Sequence, residues 1–274
     1  ARPHFEAAGF HVFNCNPDSG LKAFPYISFA EAVNEARLPI DVKAERTEGL
    51  YDRAKPKVEI KWAVSTPKPG ACIVVAADSR QEDLLQWWYG NLRRYHQDIP
   101  VVFGDMGMTD AVREWCQSRG TLVSIGKPNA KHAWFGKPLA ILQGTHEVIV
   151  WMDVDTEIRR PIDALWTQYV PSRGVAIAPD LPWARHGISD GGNSGVVVCR
   201  HGEKLVVEWA TRCMDTDLRG DQEVLYAMGV RATLPQRFNW VRLTNGPVPD
   251  DVAVYHWTSS AGKKHIRAAI RGAS

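Results

Sequence analysis

Two aspartates, Asp153 and Asp155, stand one residue apart directly after the run Val148, Ile149, Val150, Trp151, Met152. An unbroken apolar run rich in β-branched residues is the pattern of a strand buried on both faces of a parallel sheet. Side chains alternate along a strand, so carboxylates at i and i+2 point the same way, here at the carboxyl end where open α/β sheets bind ligands. Two converging carboxylates suit one hard divalent cation, Mg2+ or Mn2+, and such a cation suits a diphosphate. A solvated turn also yields acids at a strand end, but seldom a pair of them after so long an apolar run.

Two groups of enzymes place Asp-x-Asp after such a strand: nucleotide-sugar transferases and haloacid-dehalogenase-type phosphatases. The phosphatase pattern wants Thr or Val two positions after the second Asp, whereas here Thr156 comes one residue early and Glu157 takes the place. That counts against a phosphatase. Other residues able to do chemistry are less specific. The glycine-crowded stretch Gly191 to Cys199, GGNSGVVVC, reads as small residues set before a buried strand, allowing close approach to a ligand. Asp180 and Asp190 are further acids, with loop solvation as the simplest reading. Trp87-Trp88-Tyr89 resembles a stacking platform, but within one helical turn at least one ring must be core. Gly104 to Asp110 holds glycines without the spacing of a dinucleotide fingerprint.

The composition sets outer limits. The chain has 274 residues, 23% of them charged, with a formal net charge of +2, so no global field calls for nucleic acid or an anionic membrane. The five cysteines are odd in number and widely spaced, which predicts a reduced, cytoplasmic protein with buried thiols. No apolar stretch approaches the ~20 residues of a membrane span, and no signal peptide is visible. The cationic end, with Lys263, Lys264, His265, Arg267 and Arg271, admits nucleic acid as an acceptor, but a helix serving a diphosphate explains it more simply.

The elements that must position these residues follow from periodicity. Residues 1–69 read as an N-terminal extension packed on the main domain: a helix from Ser28 to Arg37 with a Ser28/Glu31 capping box, a mixed-charge stretch from Asp41 to Lys61, then a proline-rich linker. From 70 to 274 the pattern changes. Strands are predicted at Ala71 to Ala76, Ile99 to Phe103 and Thr121 to Ile125, with helices over Gln81 to Tyr95 and Met108 to Arg119 between them. A short helix, Lys137 to Gly144, leads into the central strand. Helices at Pro161 to Tyr169, Lys204 to Met214 and Gly220 to Gly229 follow, with a strand at Gly174 to Ala178. This alternation predicts an α/β fold, a doubly wound, mostly parallel sheet with helices on both faces.

In this order, residues 71 to 266 resemble metal-dependent nucleotide-sugar glycosyltransferases of the GT-A fold, most closely the branch containing glycogenin and bacterial galactosyltransferases. The resemblance rests on several short motifs and implies their roles. Ala76-Ala77-Asp78 ends the first strand, with Ala76 and Asp78 at base and ribose, and Lys137 reaches the donor from the helix before the central strand. Asp153 and Asp155, with Val154 between them, hold Mn2+ (or Mg2+). Asn193-Ser194-Gly195 faces donor sugar or acceptor, and Asp221-Gln222 lies beneath the anomeric carbon; Asn193, Asp221 and Gln222 are the catalytic set. His256 is the third metal ligand, and Gly262-Lys263 follows it to neutralise the diphosphate. The family commonly has Gly-x-x-Lys-Pro-Trp there, so Lys264 competes with Lys263 for that role. The resemblance implies transfer from a nucleoside-diphosphate sugar, a UDP-sugar by preference, to an unidentified acceptor. A sugar-binding module without turnover and a sugar nucleotidyltransferase are the alternatives; the nucleotidyltransferase lacks its Gly-rich basic loop after the first strand. The stretch Val254 to Ile270 is expected to be mobile in the empty protein and to close over the donor, because adjacent lysines and small residues are costly to hold rigid without an anion.

Overall fold

The computed structural model describes residues 12–18, 23–37, 66–126, 132–184 and 191–272. The chain divides into two compact units, Ala1–Lys57 and Val58–Ser274. In the first, helix α1 (Phe29–Arg37) starts at the expected capping box: Ser28 N–H donates to Glu31 Oε2 at 2.8 Å, and Glu31 N–H donates back to Ser28 Oγ at 3.2 Å. The mixed-charge stretch from Asp41 to Lys61 and the position of Asp190 lie outside the described residues.

The second unit is built on a six-stranded sheet of order β3-β2-β1-β4-β7-β6. Its strands are β1 (Lys68–Ala77), β2 (Val101–Asp105), β3 (Thr121–Ser124), β4 (His146–Met152), β6 (Val175–Pro179) and β7 (Gly192–Arg200). Strand β5 (Thr156–Ile158) belongs to a second sheet of order β5-β9-β8, with β8 (Trp240–Val241) and β9 (Val254–His256). In the large sheet β1 pairs parallel with β2 and β4, and β2 with β3, while β7 is antiparallel to both β4 and β6. Only β7 runs against the other five. Its beginning, rather than its end, therefore lies at the edge where β1, β4 and β6 finish.

Period-two alternation sorts the apolar side chains onto two faces. Ile73, Val75, Phe103, Val150 and Val198 pack with Leu85, Trp88 and Leu92 of helix α2 (Leu85–Tyr95) and Cys116 of α3 (Asp110–Gln117). On the other face, Val74, Val102, Ile149, Trp151 and Val197 meet Ala140 and Ile141 of α4 (Lys137–Leu142). That face also takes Trp209 of α7 (Lys204–Met214) and Leu225 of α8 (Asp221–Ala227). Each fully buried Val, Leu, Ile or Phe side chain among them contributes about 1.5–3 kcal/mol. The remaining helices are α5 (Ala164–Thr167), α6 (Leu181–Ala184) and α9 (Ser259–Gly272).

Three expectations change. The helix over Pro161 to Tyr169 shrinks to the single turn of α5, anchored by buried Ile162 and Leu165. The small residues of GGNSGVVVC do not precede a strand; from Gly192 onward they are the strand, and the glycine at 192 is required because a Cβ there would lie 2.4 Å from Ile177. Trp87-Trp88-Tyr89 is no stacking platform: Trp88 is wholly buried and the other two rings pack against the core.

Candidate active site

The two aspartates sit in a tight turn rather than on the strand itself. Asp153 N–H donates to Gly195 O at 2.8 Å, the last rung between β4 and β7. The Asp153 carbonyl then accepts from Thr156 N–H at 3.0 Å and Thr156 Oγ1 at 2.7 Å, and Trp88 Nε1 donates to that hydroxyl at 3.2 Å. The core thus pins the turn from below. Trp151 Nε1 donates to Asp153 Oδ1 at 2.8 Å, which sets the first carboxylate.

His256 arrives through the small sheet, in which Thr156 pairs with His256 across β5 and β9. Trp257 N–H donates to Asp155 O at 3.0 Å and fixes the same register. Nε2 of His256 lies 3.3 Å from Asp155 Oδ1 and 3.7 Å from Asp153 Oδ2. Ligand atoms of Asp153, Asp155 and His256 all lie within 4.8 Å of one another, and two carboxylates with one imidazole fit a borderline-hard divalent cation such as Mn2+. Lys263 Nζ lies 2.5 Å from the other oxygen of Asp155. Burial alone would raise the pKa of Asp155, but His256 and Lys263 outweigh it and hold this carboxyl well below the usual carboxylate range.

A second buried charge cluster adjoins the first. Lys137, at the start of α4, is 4% exposed; its Nζ lies 3.0 Å from Asp153 Oδ1 and 3.1 Å from Asp221 Oδ2, and it donates to Ser194 O at 3.1 Å and Ser194 Oγ at 2.9 Å. Burial would lower the pKa of this lysine, and the two carboxylates reverse that and keep it charged. Ser194 Oγ donates in turn to Asp221 Oδ2 at 2.8 Å. Asp221 opens α8 without capping it: its side chain is committed to Ser194 and Lys137. Burial pushes the Asp221 carboxyl up, and Lys137 opposes the shift. Gln222 Nε2 donates to Asp180 Oδ2 at 2.6 Å, and Gln222 Oε1 faces Ser194 N–H at 3.3 Å. Asp180 is not a solvated loop acid; it is 1% exposed, and burial raises its pKa.

These groups line one cavity of about 380 Å3. Ala76, Ala77, Met106, Ala133 and Trp134 form an apolar end beside Asp78; Asp153, Val154, Asp155, His256 and Lys263 form an ionic centre; Asn193, Asp221 and Gln222 complete a polar end. Gly262, which the resemblance sets before Lys263, stands behind the wall. A Cβ there would overlap the Trp257 carbonyl oxygen, at 1.3 Å, so only glycine lets α9 pass close enough to aim Lys263 inward. Lys264 is exposed, and of the two lysines Lys263 is the one paired with Asp155.

The C-terminal segment forms β9 and α9, in which Asp155 supplies a negative charge for Lys263, and Arg267 holds α9 through Asp83 at 2.6 Å and Arg80 O at 2.7 Å. His265 stacks on Trp257 with ring centroids 3.9 Å apart. Sequence reasoning missed Ser194 as a hydrogen-bonding group, Trp134 and Asn239. Ser194 lay inside a motif already noted for its glycines, and Trp134 stands three residues before Lys137; Asn239 carries no local signal.

No protein-family model matches the chain, and no curated protein sequence does. Solved structures do. A crystal structure of the galactosyltransferase LgtC in complex with donor and acceptor sugar analogs aligns with a TM-score of 0.52 at 18% identity, over 73% of this chain and 95% of that one. The apo-form glycosyltransferase GlyE of Streptococcus pneumoniae TIGR4 aligns with a TM-score of 0.54 at 15% identity, over 71% of this chain but only 55% of GlyE. The chain has the α/β architecture of the GT-A glycosyltransferases, with its carboxylate pair at the cavity-facing edge of the sheet.

Proposed function

We propose that residues 70–274 are a glycosyltransferase domain that moves a sugar from a nucleoside-diphosphate sugar, a UDP-sugar by preference, to an acceptor hydroxyl. Asp153, Asp155 and His256 would hold Mn2+ or Mg2+. The observation that carries this reading is the single cavity in which those three ligands adjoin Lys263 at one side and an apolar wall at the other. The apolar end, with Trp134 43% exposed beside it, suits a nucleobase, and Asp78 beside it suits the ribose.

Bond breaking at the anomeric carbon leaves charge on the departing diphosphate. A bound cation supplies Lewis-acid stabilisation of that charge. Lys263 adds an ammonium group already aimed at the same place, and Lys137 holds Asp153 and Asp221 in position from behind. Gln222 and Asn193 line the polar end of the cavity, where the Gln222 carbonyl, with one long hydrogen bond at 3.3 Å, can stabilise the developing positive charge of the sugar, and the Asp221 carboxylate beside Lys137 adds to that field.

A nucleic-acid acceptor is disfavoured, because His265 and Arg267 of the cationic end are committed within the chain. Among the described residues no helix is long and apolar enough to cross a membrane. The five cysteines, none of them in a disulfide, fit the reducing cytoplasm. Incubation with Mn2+ and a panel of nucleotide sugars, following nucleoside-diphosphate release, is the test. Release with one donor, lost on chelation, supports the reading; no release with any donor and a range of hydroxyl acceptors contradicts it.

A further inference from the structure

The imidazole of His256 can serve a cation only through a nitrogen that carries no hydrogen. Nε2 faces Asp155 Oδ1 at 3.3 Å, an oxygen that can only accept a hydrogen from it while the carboxylate is ionised. Left to that contact, the neutral ring would place its hydrogen on Nε2 and fill the position where a cation must bind. The other nitrogen, Nδ1, meets the side-chain amide of Asn239 at 3.0 Å. Which end of that amide faces the ring decides the matter.

Two main-chain groups fix the answer. The far end of Asn239 lies 3.3 Å from the Asn193 backbone carbonyl, which can only accept, so that end is the NH2. The same NH2 lies 2.8 Å from the Asn193 side chain, whose atom there is an oxygen because it accepts the Gly195 backbone N–H at 2.9 Å. Asn239 therefore turns its oxygen to His256, and Nδ1 must carry the hydrogen. Asn239 is fully buried, so reversing either amide would strand polar groups at a cost of about 1–3 kcal/mol. Gly195 completes the arrangement: a Cβ there would lie 2.4 Å from both Cε1 and Nδ1 of His256, so the ring rests flat on the strand only because residue 195 has no side chain.

We propose that Asn239 is a positioning residue which, through the Gly195–Asn193–Asn239 chain of hydrogen bonds, holds His256 as the Nδ1–H tautomer with its Nε2 lone pair between Asp153 and Asp155. Its use in metal binding rests on the metal site described above. Partners of this kind behind a ligating histidine typically change metal affinity by about 10–100-fold.

The test has two readouts on the full chain. Imidazole 15N–1H correlation spectra of the metal-free protein at alkaline pH report which ring nitrogen carries the hydrogen, and Mn2+ titration in the presence of UDP reports affinity. Wild type is expected to show Nδ1–H. Asn239→Leu is expected to show Nε2–H and to bind Mn2+ about 10–100-fold more weakly. A wild-type ring with its hydrogen on Nε2 overturns the proposal whether or not any variant folds. So does a folded Asn239→Leu with undiminished affinity. If wild type shows Nδ1–H but takes up no Mn2+ with UDP, the metal reading fails and the tautomer assignment stands.

Discussion

Where β1 ends, Ala76 and Ala77 present small apolar surface to the cavity; where β7 begins, Asn193 and Ser194 present amide and hydroxyl groups that are just as deeply buried. The β1 end is held by packing, which is tolerant: a neighbouring side chain can shift by a fraction of an ångström. The β7 end is held by hydrogen bonds to Lys137, Asp221 and Asn239, each of which leaves a buried partner stranded if it is lost. Substitutions on the apolar wall should therefore weaken ligand binding and spare the fold. On the polar wall, fold and chemistry should fail together.

The largest effect is expected between the two walls. Asp155→Ala should cut nucleoside-diphosphate release by at least about 10³-fold, since it removes a charged ligand from a cation with three protein ligands. The fold should survive, because Asp155 closes a turn rather than filling the core; circular dichroism alongside the assay checks both.

On the polar wall, Asp221→Asn should lower both turnover and stability. Lys137 would keep only Asp153 as its counter-charge, at a cost of about 1–3 kcal/mol in thermal or urea unfolding. Adding Lys137→Met should recover part of that loss, as expected for a coupled buried pair. Additive losses in the double mutant would break the comparison on this side.

The apolar wall should respond differently. Trp134→Ala should weaken UDP binding about tenfold, within the usual range of about 1–3 kcal/mol for stacking on a base, with an unchanged melting temperature. A fall in melting temperature comparable to that of Asp221→Asn would erase the distinction.

The smallest effect concerns Asp180. Burial raises its carboxyl pKa in the folded state, so the ionised form is disfavoured there, and the stability this group contributes is present at acid pH and lost as pH rises through the folded value. Asp180→Asn keeps an oxygen for Gln222 and removes the charge. It should raise the melting temperature slightly at neutral pH, and the gain should vanish below the unfolded carboxyl value of about 3.9. A pH-independent difference would contradict the assignment.

The same division explains what could be read from sequence. The β1 side was legible: apolar runs, period-two alternation and helical stripes placed the parallel strands and their helices within a few residues, and Asp153-x-Asp155 marked the sheet edge directly. The β7 side was legible only in part. Gly191 to Cys199 stood out for its glycines, but a strand reversed against its neighbours has no periodicity of its own to announce the reversal, so the polar start of β7 was placed ahead of the strand instead of in it. Asn239 and His256 are 17 positions apart and become partners only because β8 and β9 pair in parallel, a long-range register that no local pattern encodes. The tail's pairing was hidden for a related reason: Lys263 looks unpaired until the turn at Asp155 is brought beside it.

Calorimetric titration of UDP into wild type and Asp155→Ala, each with and without Mn2+, tests the central claim most directly. A joint metal and nucleoside-diphosphate site predicts that Mn2+ tightens UDP binding at least about tenfold in wild type, which is roughly 1.4 kcal/mol, and has no such effect in Asp155→Ala. Equal UDP affinity in all four titrations would contradict it.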